Sequence, residues 1–396
     1  MEKLLLQDAQ LILPDRIVTG SLLIIDGLIN QIIPERAPLP ASDRSISLNG
    51  NFLAPGFIDI HFHGAVGVDL MEADAQDFER LGRFLLSEGV TGYLATLVPA
   101  SDAEYRRALG RIDNYVRHAE LTNQAAARIV GVHFEGPFVN KARCGALQPD
   151  RFRQFSSQDA ISVFTELESN PALRARLMTL APELPGGLDL VKQLRERGFV
   201  ISVGHSRAPF EVLEQAAAIG ARHITHFFNA LDQLHHRDPG VVGWGLLRDD
   251  VTVDLIADYI HVNPQVIRLA YKCKGSERMA LISDAIPLMG LGDGEFIIWG
   301  EKITIKDGRT SNQSGAIAGS VITMRNAVQN IVKLGIPLVD AVKMASLAPA
   351  RVIGLDKDLG SIEVGKRADL IAFDDNLNIT FATVGGSAHI QSGERF

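Results

Sequence analysis

PGFIDIHFH, residues 55–63, marks the point where the chain changes character. From there, short apolar runs alternate with longer segments of helical periodicity. The runs are FIDIHF (57–62), VTGYLATLV (90–98), IVGVHF (129–134), LMTLA (177–181), FVISVG (199–204), HITHFF (223–228), VTVDLIA (251–257) and MALIS (279–283). Between them lie stretches such as DAQDFERLGRFLLSEG (74–89) and APFEVLEQAAAIG (208–220), whose apolar residues recur at helical spacing. Strands and helices in this alternation predict an α/β fold, a (β/α)8 TIM-like barrel. An open sheet of the same strands is the competing arrangement. The dinucleotide-binding form of it is disfavoured, because no early G-x-G-x-x-G turn is present.

Outside this region the pattern is different. Residues 1–54 contain LLLQDAQLIL, GSLLIIDGLINQIIP and RSISLNGNFLAPG, with Asp26-Gly27 as a hairpin turn. Past the eighth run, 291–310 reads as a β-hairpin insertion and SNQSGAIAGS (311–320) as a Gly/Ser loop. Two helices, about 321–335 and 338–347, then close the barrel. The tail SIEVGKRADLIAFDDNLNITFATVGG reads again as strands. The expected organisation is a barrel over 55–356, with 1–54 and 357–396 pairing into one small β-sandwich domain.

Composition bounds the function. The chain has 396 residues, 46% of them hydrophobic, so a large core is available. A net charge of -8 argues against a nucleic-acid partner, which requires a basic surface. It does not exclude an anionic substrate, since a pocket can be basic inside an acidic protein. Cys144 and Cys273 make no disulfide framework and suit a reducing compartment. The N-terminus shows no signal-peptide pattern and no apolar run reaches bilayer length, so a cytoplasmic protein without a membrane partner is expected.

The polar residues fall where barrel enzymes keep their chemistry. His61 and His63 sit at the end of the first run, Glu135 ends the third, His205 ends the fifth, His226 lies in the sixth and Asp284 ends the eighth. Barrel active sites are built at this C-terminal rim from the ends of different strands. His61 and His63 share the two-residue period of a strand, so both side chains point to one face. With a carboxylate they can hold a divalent metal. Glu135 can bridge two metals. His205 and His226 with Glu135 complete a site that leaves a position open for water. Asp284 can take a proton from that water and return it to a leaving nitrogen, or it can ligate metal itself. His133 reads equally as a ligand and as a hydrogen-bonded neighbour. His223, three residues before His226, is expected to point away toward the helices. His235 reads as a loop histidine, and only adjacency to Arg237 gives His236 a further role.

These residues belong to blocks that resemble the N-acetylglucosamine-6-phosphate deacetylase family of the amidohydrolase superfamily. The blocks are PGFIDIHFHGAVGVD (55–69), GVHFEGPFVNKARCG (131–145), GHSRA (204–208), THFFNAL (225–231), RDPGVVG (237–243), LISDAIPLMGLGDG (281–294) and MASLAPARVIGLDKDLGSIEVGKRADLI (344–371). The resemblance implies Glu135, His205 and His226 as metal ligands and His61 with His63 as a second-metal pair that only some members keep. It implies Asp284 as general base and acid. Asn229, Ala230, Ala146 and Leu147 fall at substrate-contacting positions, and Arg237 and His261 at positions that hold the sugar phosphate, partly across a homodimer interface. The cofactor implied is one or two divalent ions per subunit, Zn or Fe. The substrate implied is a small amino-sugar phosphate, whose acetamide is hydrolysed to acetate and free amine in amino-sugar catabolism. One position departs: Leu147 stands where the family usually has a histidine that touches the sugar. Gln148 can substitute for it, or the sugar differs, N-acetylgalactosamine 6-phosphate being the nearest alternative. A related amidohydrolase acting on another amide is the third possibility, against which Arg237 and His261 argue. The fourth strand runs into LAPE without the lysine that many binuclear relatives use. A non-catalytic sugar-phosphate binder would be expected to lose a ligand or Asp284, and none is lost.

Overall fold

The computed structural model describes residues 2–122, 126–156, 158–166, 170–313 and 315–391. The barrel strands are Phe57–Asp59, Val90–Leu97, Arg128–Glu135, Ala175–Leu180, Val200–Val203, Ala221–Ile224, Thr252–Ile256 and Met279–Ile282. They lie side by side in chain order, all parallel. Main-chain contacts past the strand ends join the last to the first: Asp284 N donates to His61 O at 2.9 Å and His63 N to Ala285 O at 2.9 Å. Val90–Leu97 is buried at every position, as expected where helices cover one face and the barrel interior the other.

The helices form for local reasons. Ala75–Ser87 starts at Asp74, whose carboxylate accepts from the N–H groups of Gln76 and Asp77, while Asp77 reaches back to Asp74 N. Such a cap contributes about 1 kcal/mol. The helix buries Phe78, Leu81, Leu85 and Leu86, a single stripe at helical spacing.

The barrel interior is layered. Its floor is apolar: Ile58, Leu94, Leu177, Ile256, Ala280 and Ile282 pack on Ala348 and Ala350 of the short helix Leu347–Val352. Above the floor lies a chain of hydroxyls. His133 Nε2 is 2.8 Å from Thr179 Oγ1, which is 2.7 Å from Thr225 Oγ1, which in turn bonds Ser202. The residues singled out in the sequence stand above this layer.

Strands from both termini form one further sheet. Phe52–Pro55 pairs antiparallel with Leu370–Phe373, which ties the start of the chain to its end just before the barrel begins. The hairpin between Ile17–Ile25 and Leu28–Pro34 turns at Asp26 and Gly27, with φ of 48° and 78°.

Three expectations need correction. The strands are shorter than the apolar runs, so His61, His63, His205, His226 and Asp284 stand just beyond strand ends rather than within them. Periodicity overran because the residues past each end are still buried. The insertion is a three-stranded antiparallel sheet, Gly294–Ile298, Glu301–Lys306 and Arg309–Ser311, not a simple hairpin. Between the barrel and the tail a third short helix, Leu347–Val352, follows Met324–Lys333 and Leu338–Ala345.

Phe134 packs on Phe164 with ring centroids 4.9 Å apart, one residue before Glu135. Phe134→Ala is expected to cost roughly 3–5 kcal/mol of stability. Denaturant unfolding checks this; a loss below about 1 kcal/mol would mean that the neighbouring rings refill the space.

Candidate metal centre

Two groups of three side chains converge at the mouth of the barrel: Glu135, His205 and His226, and His61, His63 and Asp284. All six are buried or nearly so. Glu135 Oε1 lies 3.0 Å from His205 Nε2 and 3.2 Å from His226 Nε2. His61 Nε2 is 3.5 Å from the same oxygen, and Glu135 Oε2 is 3.3 Å from His63 Nε2. Asp284 Oδ1 stands 3.3 Å from His61 Nε2 and 3.4 Å from His63 Nε2. One carboxylate thus spans both groups.

Backbone geometry aims three of these side chains. His205, His226 and Asp284 each follow a strand and each adopt a left-handed conformation, with φ of 47°, 33° and 48°. For residues with a Cβ this region costs free energy, and such strain gathers at functional sites. Main-chain bonds hold the strained residues: Asn140 N donates to His205 O at 2.9 Å and Ser320 N to Asp284 O at 2.9 Å. His226 N donates to the Asp254 carboxylate.

The donor chemistry fits a divalent cation. His205 Nδ1 donates to Arg143 O at 2.8 Å and His226 Nδ1 to Asn229 O at 3.1 Å. With Nδ1 protonated, both Nε2 lone pairs face inward, 2.9 Å from each other and beside a carboxylate. Lone pairs that close repel unless a cation stands among them. This arrangement of imidazoles oriented by carbonyls is the usual support for metal-binding histidines. The His61–His63 pair has its Nε2 atoms 3.1 Å apart, but both buried Nδ1 atoms have no hydrogen-bond partner among the described residues. The second group therefore has donors of the right kind and a weaker framework around them.

The remaining sequence-derived candidates divide. A Cβ placed on Gly145 would lie 3.5 Å from His205 Cε1 and 3.8 Å from the Ala230 methyl, so the loop carrying Ala146 and Leu147 borders the centre. Leu147 is half-buried and its N–H donates to Cys144 O. Asn229 holds His226 through its carbonyl. His261 bonds Asp258 Oδ2 through Nδ1 at 2.6 Å. Arg237 lies on an exposed turn against His236, at 2.7 Å. Among the described residues no hydrogen bond or ion pair joins Arg237 or His261 to the six. His133 is a hydrogen-bonded neighbour between Thr96 and Thr179 rather than a member of either group.

Sequence reading missed the residues that hold the six in place. Asp59 accepts from Ser283 Oγ at 2.5 Å, from Ser283 N and from His61 N. Burial pushes its carboxyl up to about 6. Its signal was available, as an acidic residue two places before His61 in an apolar run. Asp254 and the Arg143 carbonyl carried no such signal.

The amidohydrolase family profile matches residues 52–393. The chain belongs to the amidohydrolase family. The N-acetylglucosamine-6-phosphate deacetylase of Vibrio furnissii is 37% identical over 84% of this chain and 82% of its own length. The N-acetylgalactosamine-6-phosphate deacetylase of Escherichia coli O157:H7 is 34% identical over 90% of this chain and 91% of its own. The crystal structure of N-acetylglucosamine-6-phosphate deacetylase from Pasteurella multocida superposes with a TM-score of 0.88 at 31% identity, covering 98% of this chain and 99% of that one. An amidohydrolase barrel and a metal-dependent hydrolase follow.

Protonation links the centre to stability. In the metal-free protein, burial alone would lower the His63 imidazole, but hydrogen bonds to Asp284 and Glu135 raise it to about 10. A folded value above the ordinary 6.5 contributes stability that is fully present below 6.5 and is lost as pH rises toward 10. Asp284 is opposed by burial, yet His61 and His63 hold it below its ordinary 3.8, so its contribution is lost only as pH falls below that value. A bound cation takes His63 neutral and removes the alkaline dependence. The melting temperature of chelator-stripped protein should therefore fall between pH 6.5 and 9.5 more steeply than that of metal-loaded protein. Parallel curves would contradict this.

Proposed function

We propose that this enzyme hydrolyses the acetamide of N-acetyl-D-glucosamine 6-phosphate, giving D-glucosamine 6-phosphate and acetate. The observation that carries the reading is Glu135 spanning two histidine pairs with Asp284 beside His61 and His63. Relatives named for this activity cover most of the chain.

Glu135, His205 and His226 would hold one divalent ion, Zn or Fe, and His61 with His63 a second, Asp284 standing beside it. Such an ion lowers the pKa of a nearby water toward neutrality and polarises the amide carbonyl. Asp284 carries the protons: its carboxylate accepts one from the attacking water and delivers it to the departing nitrogen. Because Asp284 is held ionised by His61 and His63, it enters the cycle as a base. Asn229, Ala230, Ala146 and Leu147 line the sugar, while Arg237 and His261 take the phosphate. Asp258 fixes the His261 ring through Nδ1, which leaves Nε2 to face an anion. Arg237 offers a planar fork of donors.

The exposed turn at 235–238 suits a homodimer in which Arg237 meets a partner's site. Leu234, 53% exposed, stands beside that turn as an apolar contact. A reducing cytoplasmic setting accords with Cys144 and Cys273 as free thiols. No helix among the described residues is long and apolar enough to cross a membrane.

The galactosamine epimer is the second reading, favoured by Leu147, which offers the sugar no hydrogen bond. Acetate release from both 6-phosphates, with unphosphorylated sugars as controls, separates the two. Preference for the glucosamine form supports the proposal, and preference for the galactosamine form replaces it. In either case Asp284→Asn should lower kcat by at least about 100-fold while the ion at Glu135, His205 and His226 stays bound. Unimpaired turnover would remove Asp284 from the mechanism.

A further inference from the structure

His223 was expected to point away from the barrel; it does not. Ile224 faces the helices, where it lies under Gly245, and His223 faces inward. The strand ends at Ile224 and His226 turns left-handed, so strand alternation does not carry from 223 to 226. His223 Nε2 lies 2.9 Å from Asp254 Oδ2, and both side chains are about 2% exposed. No step of the reaction uses this pair.

Its hydrogen bonds explain what it does. Thr252 Oγ1 lies 2.8 Å from His223 Nδ1 and 3.1 Å from Arg222 O. His223 Nε2 meets Asp254 Oδ2, so the ring spans Thr252 and Asp254. The other oxygen of Asp254, Oδ1, accepts from the main-chain N–H of His226. Asp254 O accepts from Phe227 N at 2.8 Å. His226 stands at φ 33°, and Phe228 and Ala230 follow at 79° and 52°. A strained run of this kind persists only where its surroundings over-determine it. Asp254 grips the run at its first residue, and His223 holds the carboxylate that grips.

We propose that Asp254, oriented by His223, is the positioning residue that keeps His226 in its ligating geometry and so sets how firmly the Glu135–His205–His226 site retains its ion. The inference rests on reading those three as cation ligands. An asparagine at 254 keeps one acceptor oxygen for the His226 N–H but loses the charge and puts an NH2 where the His223 ring now meets a carboxylate oxygen. Competition between protein and a chelator for Co2+ measures retention, and the visible spectrum of the bound ion reports ligand geometry. Asp254→Asn should weaken retention about tenfold and alter the spectrum. His223→Leu should do the same, whereas His223→Gln, which keeps a donor toward Asp254, should restore most of the loss. That rescue separates orientation from simple packing, and the two His223 variants decide the matter should Asp254→Asn fail to fold. His226→Ala is the reference. If it alone weakens Co2+ retention while Asp254→Asn and His223→Leu retain the ion like the unaltered protein, the positioning role is wrong. If His226→Ala also retains the ion unchanged, the metal-centre reading itself falls, and the inference with it.

Discussion

A carboxylate buried at the mouth of the barrel is the constraint around which this structure is arranged. Glu135 has four imidazoles within 3.5 Å and little access to water. Taking a carboxylate out of water costs several kcal/mol unless partners replace the lost hydration. Burial pushes Glu135 toward the neutral form, and the surrounding histidines overcome it, holding the carboxyl well below its ordinary range. Each of those histidines comes from a different stretch of chain, apart from the His61–His63 pair. The carboxylate can stay charged only if the first, fifth and sixth strands all end at the same height as the third. Closure of the barrel is what guarantees that, because parallel strands around a ring deliver their ends to one rim.

Delivery to the rim is not enough, since a side chain at the end of a strand continues to alternate in and out. Three left-handed residues, His205, His226 and Asp284, break the alternation and turn their side chains toward the centre. Each strained residue is fastened by an element distant in sequence: Asn140 for His205, Asp254 for His226, and His61 with Ser320 for Asp284. The strain is thereby offset by hydrogen bonds from neighbouring strands and loops, and for Asp284 by one across the seam that closes the barrel. Stability and site geometry are thus two consequences of the same closure, and the apolar floor of Ile58, Leu94, Ile256 and Ile282 gives the closed ring something to pack on.

Much of this was legible in the sequence. Alternation of apolar runs and helical segments predicts the barrel, and the polar residues at the ends of those runs predict the six that meet. The exact strand ends were not legible, because buried residues past a strand look like strand. The direction of His223 was misjudged for that reason: counting by twos and threes assumes an unbroken strand up to His226, and a positive φ at a histidine leaves no mark in a hydropathy pattern. Asp59 could have been found, since an acidic residue two places before His61 in an apolar run stands out in the sequence. Asp254 could not, because an acidic residue within an apolar run reads alone as an ion-pair partner. Main-chain acceptors such as Arg143 O belong to no residue type and are invisible to sequence.

Arg143 ties the loops at the mouth of the barrel to the metal centre. Its carbonyl orients the His205 ring, and its guanidinium pairs with Asp232, which also takes Arg207 at 3.2 Å. Asp232 follows the segment of Asn229 and Ala230, while Arg143 precedes the loop of Ala146 and Leu147 by three residues. The two loops that border the centre are therefore fastened to each other at a point that also fixes a candidate metal ligand. Glu183 adds a second fastening, accepting from Asn140 Nδ2, Ser206 Oγ and Arg207 N. A change at Leu147 leaves this framework untouched, because Leu147 contributes a side chain and only a local main-chain turn. A change at Arg143 or Asp232 does not, because the loop and His205 would move together. Loop positions such as Leu147 can change without moving the centre, whereas Arg143 and Asp232 cannot, because they fasten the loops to each other and to His205.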